Sequence, residues 1–398
     1  NKWASDRKRI GILQIAIFIS REIFAGFLRH LKEGYPAEAH VVLTEDGYLL
    51  TVHRIPGDRK SPAVFLQHGV LGSSADWIML GKGKALAYLL ADQGYDVWLG
   101  NFRGNTYSRA HTSFSYTDSK FWDFSWHESG VYDLPAMITY IAQLKADILR
   151  AYVGFSMGTT CFYAMASERP QIARLLKSAY SLAPVAYMKH IIFYLLGEGE
   201  FLPQNYERIC ASSLFVIVGF DKAQFNYTLL PVILNHTPAG TSSKTLVHYA
   251  QEIESGRFRQ FDYGSKRNME VYNSTEPPDY DLSRITTPIV LFCGNNDWLL
   301  SKELPYAPVI YKVPFQKFNH IDFLWAIDAP KFLRHRCPSP GSESILPRAS
   351  TPIEANTRGR SVAFKFRPRR PLRTSAGVAA GFEASLILYR KCRRGRAL

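Results

Sequence analysis

The run Gly154-Phe155-Ser156-Met157-Gly158 constrains this chain more than any other. Tyr152 and Val153 lead into it with strand-forming residues, and Thr159 to Ala164 lead out with residues that can continue a helix. A serine between two glycines at such a junction describes a sharp strand-to-helix turn that lifts the Ser156 hydroxyl into a cleft. A Cβ at Gly154 or Gly158 would collide with the neighbouring strand or helix, so both positions require small residues. The helix begins directly behind the serine, and its first amides, Met157 N–H among them, face any oxyanion formed there. Ser156 is the leading candidate nucleophile.

The rest of the chain alternates strand-like and helix-like runs. Strands are expected at Ala39–Thr44 and Tyr48–Arg54 around the turn Glu45-Asp46-Gly47, then at Ala63–Gln67, Asp96–Leu99, Ala151–Val153, Ser178–Leu182 and Pro288–Cys293. Several are continuously apolar, as buried parallel strands should be. Helices are expected at Lys82–Asp92, Glu128–Leu144 and Gly158–Ser167. This alternation predicts a doubly wound, mostly parallel α/β sheet, whose ligand site lies at the carboxyl ends of the strands.

That rule selects the remaining chemistry. After the strand Ala63–Gln67 comes the tight loop His68-Gly69-Val70-Leu71-Gly72, which points to Val70 N–H as a second oxyanion donor. After Pro288–Cys293 comes Gly294-Asn295-Asn296-Asp297, which puts a carboxylate at a strand's end. His320 follows in the short loop Phe318 to Phe323. A serine needs a histidine as general base, and the imidazole needs a carboxylate to fix its tautomer; Ser156, Asp297 and His320 occur in the chain order that this arrangement uses. His68 competes as base but reads as structural, beside Gly69. Asp322 and Asp328 compete with Asp297, and Asp322, only two residues from the histidine, ranks second.

Composition excludes other classes. Residues 334–398 hold 15 of the 48 Lys and Arg but 3 of the 34 Asp and Glu, so +12 of the net +14 sits there and the remaining body is nearly neutral. Charge in a tail rich in Pro, Ser and Arg reads as a solvated segment rather than a nucleic-acid site. Five widely spaced cysteines form neither a zinc framework nor a dense disulfide scaffold. Asn226, Asn235 and Asn273 each begin an N-glycosylation sequon, and three together favour a secretory route. Arg7-Lys8-Arg9 before the apolar run Ile10–Ile19 has signal-peptide proportions without a small-residue cleavage site, and the run is too short to span a bilayer.

Gly34 to Glu38, Thr44 to Tyr48, Phe65 to Gly69, Tyr95 to Asn101, Arg103 to Thr106, Tyr132 to Ala136, Ser181 to Ala186 and Asn319 to Phe323 make the chain resemble the acid lipase family of α/β hydrolases, which includes gastric, lysosomal and insect lipases. The likeness covers roughly residues 34–333. It implies hydrolysis of triacylglycerol or sterol esters at a lipid–water interface, secretion or lysosomal residence, and no metal or organic cofactor. It matches Ser156, Asp297 and His320 to the family's triad, and Val70 and Met157 to its oxyanion amides.

The resulting division is an N-terminal helical or signal-like segment (1–33), a first core part (34–185), a cap (186–283), a second core part (284–333) and a basic, disordered tail (334–398). An all-round apolar helix from Met188 to Leu196 is by itself better read as a buried helix, but in a segment inserted between two sheet strands it also fits a lid. The chain departs from the family in several places. Phe155 stands where a polar residue is usual, the cap and the loop after Asp297 are shorter, Cys210 has lost a partner cysteine, and the last helix is replaced. Those departures motivate a second reading, a catalytically weak lipid-binding relative.

Overall fold

A computed structural model describes residues 33–188, 221, 223–297 and 309–333. The helix expected from Met188 to Leu196 (beyond Met188 itself), Cys210, the apolar run Ile10–Ile19 and the basic tail lie outside these residues.

Gly47, at φ +96°, turns the chain between β1 (Glu38–Leu43) and β2 (Tyr48–Ile55), which pair antiparallel with Glu38 opposite Arg54 and Leu43 opposite Leu49. There follow β3 (Ala63–Gln67), β4 (Asp96–Gly100), the two-residue β5 (Ala110–His111), β6 (Ala151–Phe155), β7 (Ala179–Leu182), β8 (Ile289–Cys293) and β9 (Val309–Lys312). Every residue of β3, β4, β6, β7 and β8 is buried, as strands covered on both faces must be. The described strands form one sheet in the order β1-β2-β4-β3-β6-β7-β8-β9, parallel from β4 onward, with β5 against β2.

The doubly wound sheet foreseen from the alternation is therefore present, and two apolar cores flank it. One gathers Trp98, Phe121, Trp126 and Phe162; the other gathers Trp77, Tyr88, Leu66 and Phe318. The helices α1 (Leu86–Asp92), α2 (Leu134–Lys145) and α3 (Met157–Glu168) pack against them. α1 starts later than Lys82 because Gly81 and Gly83 take φ +77° and +78°, which makes 81–85 a turn. The helix expected from Glu128 begins at Trp126 and passes through a π-helical bulge, Ser129–Asp133, before α2. There Gly130 lies so close to α3 that a Cβ would sit 2.8 Å from the Cys161 carbonyl oxygen.

Between β7 and β8 the chain leaves the sheet, and the described part of that insertion contains α4 (Leu230–His236), α5 (Ser243–Ser255) and α6 (Ser265–Tyr272). α5 is joined to the core: His248 stacks on Trp126 with centroids 3.9 Å apart, and the Tyr249 hydroxyl donates to Thr160 Oγ1 at 3.1 Å.

Candidate active site

β6 ends at Phe155, α3 begins at Met157, and Ser156 alone makes the turn, at φ +51° and ψ −116°. A non-glycine residue held there stores about 1–3 kcal/mol of strain, which the surroundings must offset. They do so with backbone. Ser156 N–H donates to Leu182 O at 3.1 Å, Thr159 N–H to Ser156 O at 2.8 Å, and the Tyr152 hydroxyl to Gly158 O at 2.7 Å. The steric argument for the glycines holds in numbers. A Cβ on Gly158 would lie 2.6 Å from Gln67 O, and one on Gly154 would lie 2.9 Å from the Gly158 carbonyl.

The loop after β3 closes over this turn. A Cβ on Gly69 would meet Ser156 Cβ at 3.0 Å, so the Gly69–Val70 backbone borders the serine directly. Leu71, at φ +60°, is a second strained residue beside the first. His68 is bonded at both ring nitrogens. Phe102 N–H donates to its Nε2 at 3.1 Å, which leaves Nδ1 as the donor to Gly69 O at 2.7 Å, and burial pushes its pKa down to about 4. A ring fixed as the neutral tautomer and occupied on both sides is a strut for this loop, as read from the sequence.

Asp297 and His320 arrive from the other side. Gly294 turns the chain out of β8 so tightly that a Cβ would run into the Phe318 carbonyl, and Asn296 N–H donates to that same oxygen at 3.0 Å. The loops carrying the two residues are thereby joined. His320 Nδ1 lies 2.9 and 3.0 Å from the two Asp297 carboxylate oxygens. With Nδ1–H donated to a carboxylate, Nε2 keeps its lone pair, and this buried atom has no hydrogen-bond partner among the described residues. Phe155 packs on the imidazole with centroids 5.1 Å apart, so the residue preceding the serine supports the ring. Of the acids weighed, Asp297 is the one that meets His320. Asp322 instead accepts Asn319 N–H at 2.7 Å, and Asp328 pairs with Lys331 and Gln224.

Comparison with known proteins adds an independent line. The partial alpha/beta-hydrolase lipase region matches residues 30–81, and the alpha/beta hydrolase fold matches residues 62–326. Lipase 1 of Drosophila melanogaster is 42% identical over 367 residues, covering 84% of this chain and 83% of that protein. Lipase 3 of the same organism is 41% identical over 348 residues, covering 76% and 88%. The gastric triacylglycerol lipase of Homo sapiens is 38% identical over 341 residues, covering 75% and 86%.

The chain belongs to the lipase family of α/β hydrolases. It is a carboxylic ester hydrolase.

Several supports of this lipase site were not foreseen. Arg103 is buried between Asp46, at 2.6 Å, and Asp133, at 2.7 Å, and ties the β1–β2 turn and the start of α2 to the end of β4. Breaking such a pair from one side costs about 3–5 kcal/mol, because the other charge is left buried. Asn105 Nδ2 reaches both His68 Nε2, at 3.1 Å, and Asn101 Oδ1, at 2.9 Å. Asp221 is buried and accepts the N–H groups of Ala223 and Gln224, at 3.2 and 3.3 Å. Among the sequons of this lipase, Asn235 and Asn273 are exposed, while Asn226 is half-buried and accepts Thr228 N–H at 3.1 Å. No group of three or more His, Cys, Asp or Glu that could hold a metal occurs among the described residues.

Proposed function

We propose that this lipase cleaves neutral lipid esters, triacylglycerols or sterol esters, through an acyl-enzyme on Ser156. The observation that carries the reading is the pairing of His320 Nδ1 with Asp297, which leaves a buried, unbonded Nε2 in the loop that packs on Phe155, next to the strained Ser156. His320 takes the Ser156 proton as the oxygen attacks the ester carbonyl, and Asp297 steadies the imidazolium. The oxyanion rests on the amides of Met157 and Val70, one at the start of α3 and one in the loop against the serine. His320 then returns the proton to the leaving alcohol, and water repeats the sequence on the acyl group.

The insertion between β7 and β8 serves in this reading as a cap over the acyl-chain cleft. The exposed sequons Asn235 and Asn273 support a secretory route, secreted or lysosomal. No helix of the described residues is long and apolar enough to cross a membrane. A fluorophosphonate probe, followed by hydrolysis measured across ester chain lengths, tests the proposal. Labelling at Ser156 with turnover of long-chain glycerides or sterol esters is expected. A protein that binds such lipids but is neither labelled nor active would instead be a lipid carrier.

A further inference from the structure

The insertion meets the loops of the candidate site at two places. One follows His320: Phe225 bridges antiparallel to Ala326, and the Gln224 side chain accepts Asp328 N–H at 3.0 Å and donates to its carboxylate at 3.2 Å. The other, residues 237–240 between α4 and α5, lies beside Ser156. Ala239, 1% exposed, donates its N–H to Leu71 O at 2.7 Å. Its carbonyl accepts the Thr106 hydroxyl at 2.9 Å and Arg109 Nη2–H at 3.1 Å, both from the loop after β4. Gly240 follows so closely that a Cβ would lie 2.7 Å from Arg109 Nη2 and 3.1 Å from Gly104 O. The Thr237 hydroxyl donates to Asp76 Oδ1 at 3.5 Å, and the other oxygen of that carboxyl accepts Ser73 N–H at 3.2 Å.

The residue that Ala239 grips is the one that strains the loop after β3. Gly72 N–H closes a four-residue turn on Gly69 O at 3.1 Å, with Val70 and Leu71 at its centre. Leu71 takes φ +60° at the third position, where a positive φ usually calls for glycine. A non-glycine residue held there stores about 1–3 kcal/mol and stays only where surrounding bonds oppose its relaxation. At the inner end of the turn that support is His68, bonded to Gly69 O and Phe102 N–H. At the Leu71 end it is Ala239, with the loop after β4 behind it. Arg109 spends its guanidinium on two backbone carbonyls, Ala239 O and, at 3.3 Å, Gly104 O, and on no carboxylate among the described residues.

We propose that residues 237–240 brace the turn that presents Val70 N–H to the oxyanion, which makes Arg109 and Thr106 positioning residues for that amide. They hold the Ala239 carbonyl, Ala239 N–H holds Leu71, and Leu71 fixes the turn in which Val70 sits. The inference rests on the reading of Val70 N–H as an oxyanion donor beside Ser156. Without the Ala239 bond, Leu71 relaxes towards negative φ and the Val70 amide swings away from the reacting oxygen. An oxyanion donor lost outright costs about 10²–10³-fold in kcat, and one left in place but misaimed costs part of that. On this side of the site the insertion therefore belongs to the frame that orients the reacting groups.

A role in folding alone would lower the melting temperature while the folded enzyme kept its kcat. The test is therefore kcat, KM and the inhibition constant of a long-chain trifluoromethyl ketone, measured on folded, full-length protein. The ketone adds reversibly to the serine and places its own oxyanion where that of the ester would form. Arg109→Met keeps a long stem and removes both donors; kcat should fall about 5–50-fold with KM within about twofold, and the ketone should bind more weakly by about the same factor as kcat. Thr106→Val removes the other donor to Ala239 O and should cost about 2–10-fold in both quantities, so it serves if Arg109→Met does not fold. Arg109→Lys keeps a donor able to reach Ala239 O and should recover most of the loss. Wild-type kcat and ketone affinity in both Arg109→Met and Thr106→Val overturn the brace while leaving the site reading intact, and so does a raised KM with unchanged kcat. Absence of Ser156 labelling by the fluorophosphonate in wild type overturns both.

Discussion

The Ser156 half of the candidate site and its Asp297–His320 half are held by different kinds of force. Around Ser156, the turn is closed by close backbone approach: α3 against β3 at Gly158, and the loop after β3 against Ser156 at Gly69. Neither approach depends on a charge. Asp297 and His320 sit instead on two loops joined by polar contacts, Asn296 to Phe318 and Asp297 to His320, with the insertion clasped on through Gln224 and Phe225. Steric closure tolerates changes of pH but not an added methyl group. A polar assembly tolerates small changes of volume but not a change of protonation.

The largest effect expected from that contrast is chemical. Ser156→Ala should lower kcat by roughly 10⁴–10⁶-fold and abolish probe labelling, with an unchanged melting temperature, because the hydroxyl contributes little to a turn made of backbone. Retained turnover would remove Ser156 from the mechanism. Asp297→Asn should lower kcat by about 10²–10⁴-fold with the fold intact, since an amide cannot hold the imidazolium. If it is nearly silent at acid pH while Asp322→Asn is not, the orienting acid is Asp322.

Gly158→Ala sharpens the steric side. The new Cβ faces the Gln67 carbonyl at 2.6 Å with no flexible side chain to yield, so unfolding should become about 2–4 kcal/mol easier, measured by denaturant titration. Wild-type stability in this variant would show that the turn can relax.

The smallest effect probes α5. Glu252 is buried, both carboxylate oxygens lack partners among the described residues, and burial pushes its pKa well above the ordinary value of 4.5. The folded-state value lies above the unfolded one, so this side chain favours the fold below about pH 4.5 and loses that contribution as pH rises towards the elevated value. Glu252→Gln should be close to neutral in acid and should stabilise by about 1–3 kcal/mol at neutral pH. Parallel pH–stability curves for the two proteins would show that the carboxyl is not raised.

What could be read from the sequence follows the same division. β3, β4, β6, β7 and β8 were evident because strands buried on both faces are continuously apolar, and Ser156 was evident because its turn constrains five adjacent residues. β5 and β9 were missed: one is two residues long, and the other is an edge strand with no buried residue to mark it. The late start of α1 and the bulge before α2 depended on glycines whose φ or packing only the assembled chain reveals. His320 and Asp297 were marked by their positions after strands, but the clasp of Gln224 to Asp328 was not, since it spans an insertion that no local pattern crosses.

β7 and β8 lie side by side, yet the chain leaves one at Leu182 and does not begin the other until Ile289. A ribosome adding about 5–20 residues per second makes the Ser156 turn roughly ten to thirty seconds before it makes His320. Over that interval the nascent chain carries a strained Ser156 turn without the His320 loop proposed to serve it, and the edge of β7 waits unpaired for β8. Activity therefore arrives with the last part of the core to be synthesised, while the longest exposure to misfolding falls on the β7 edge.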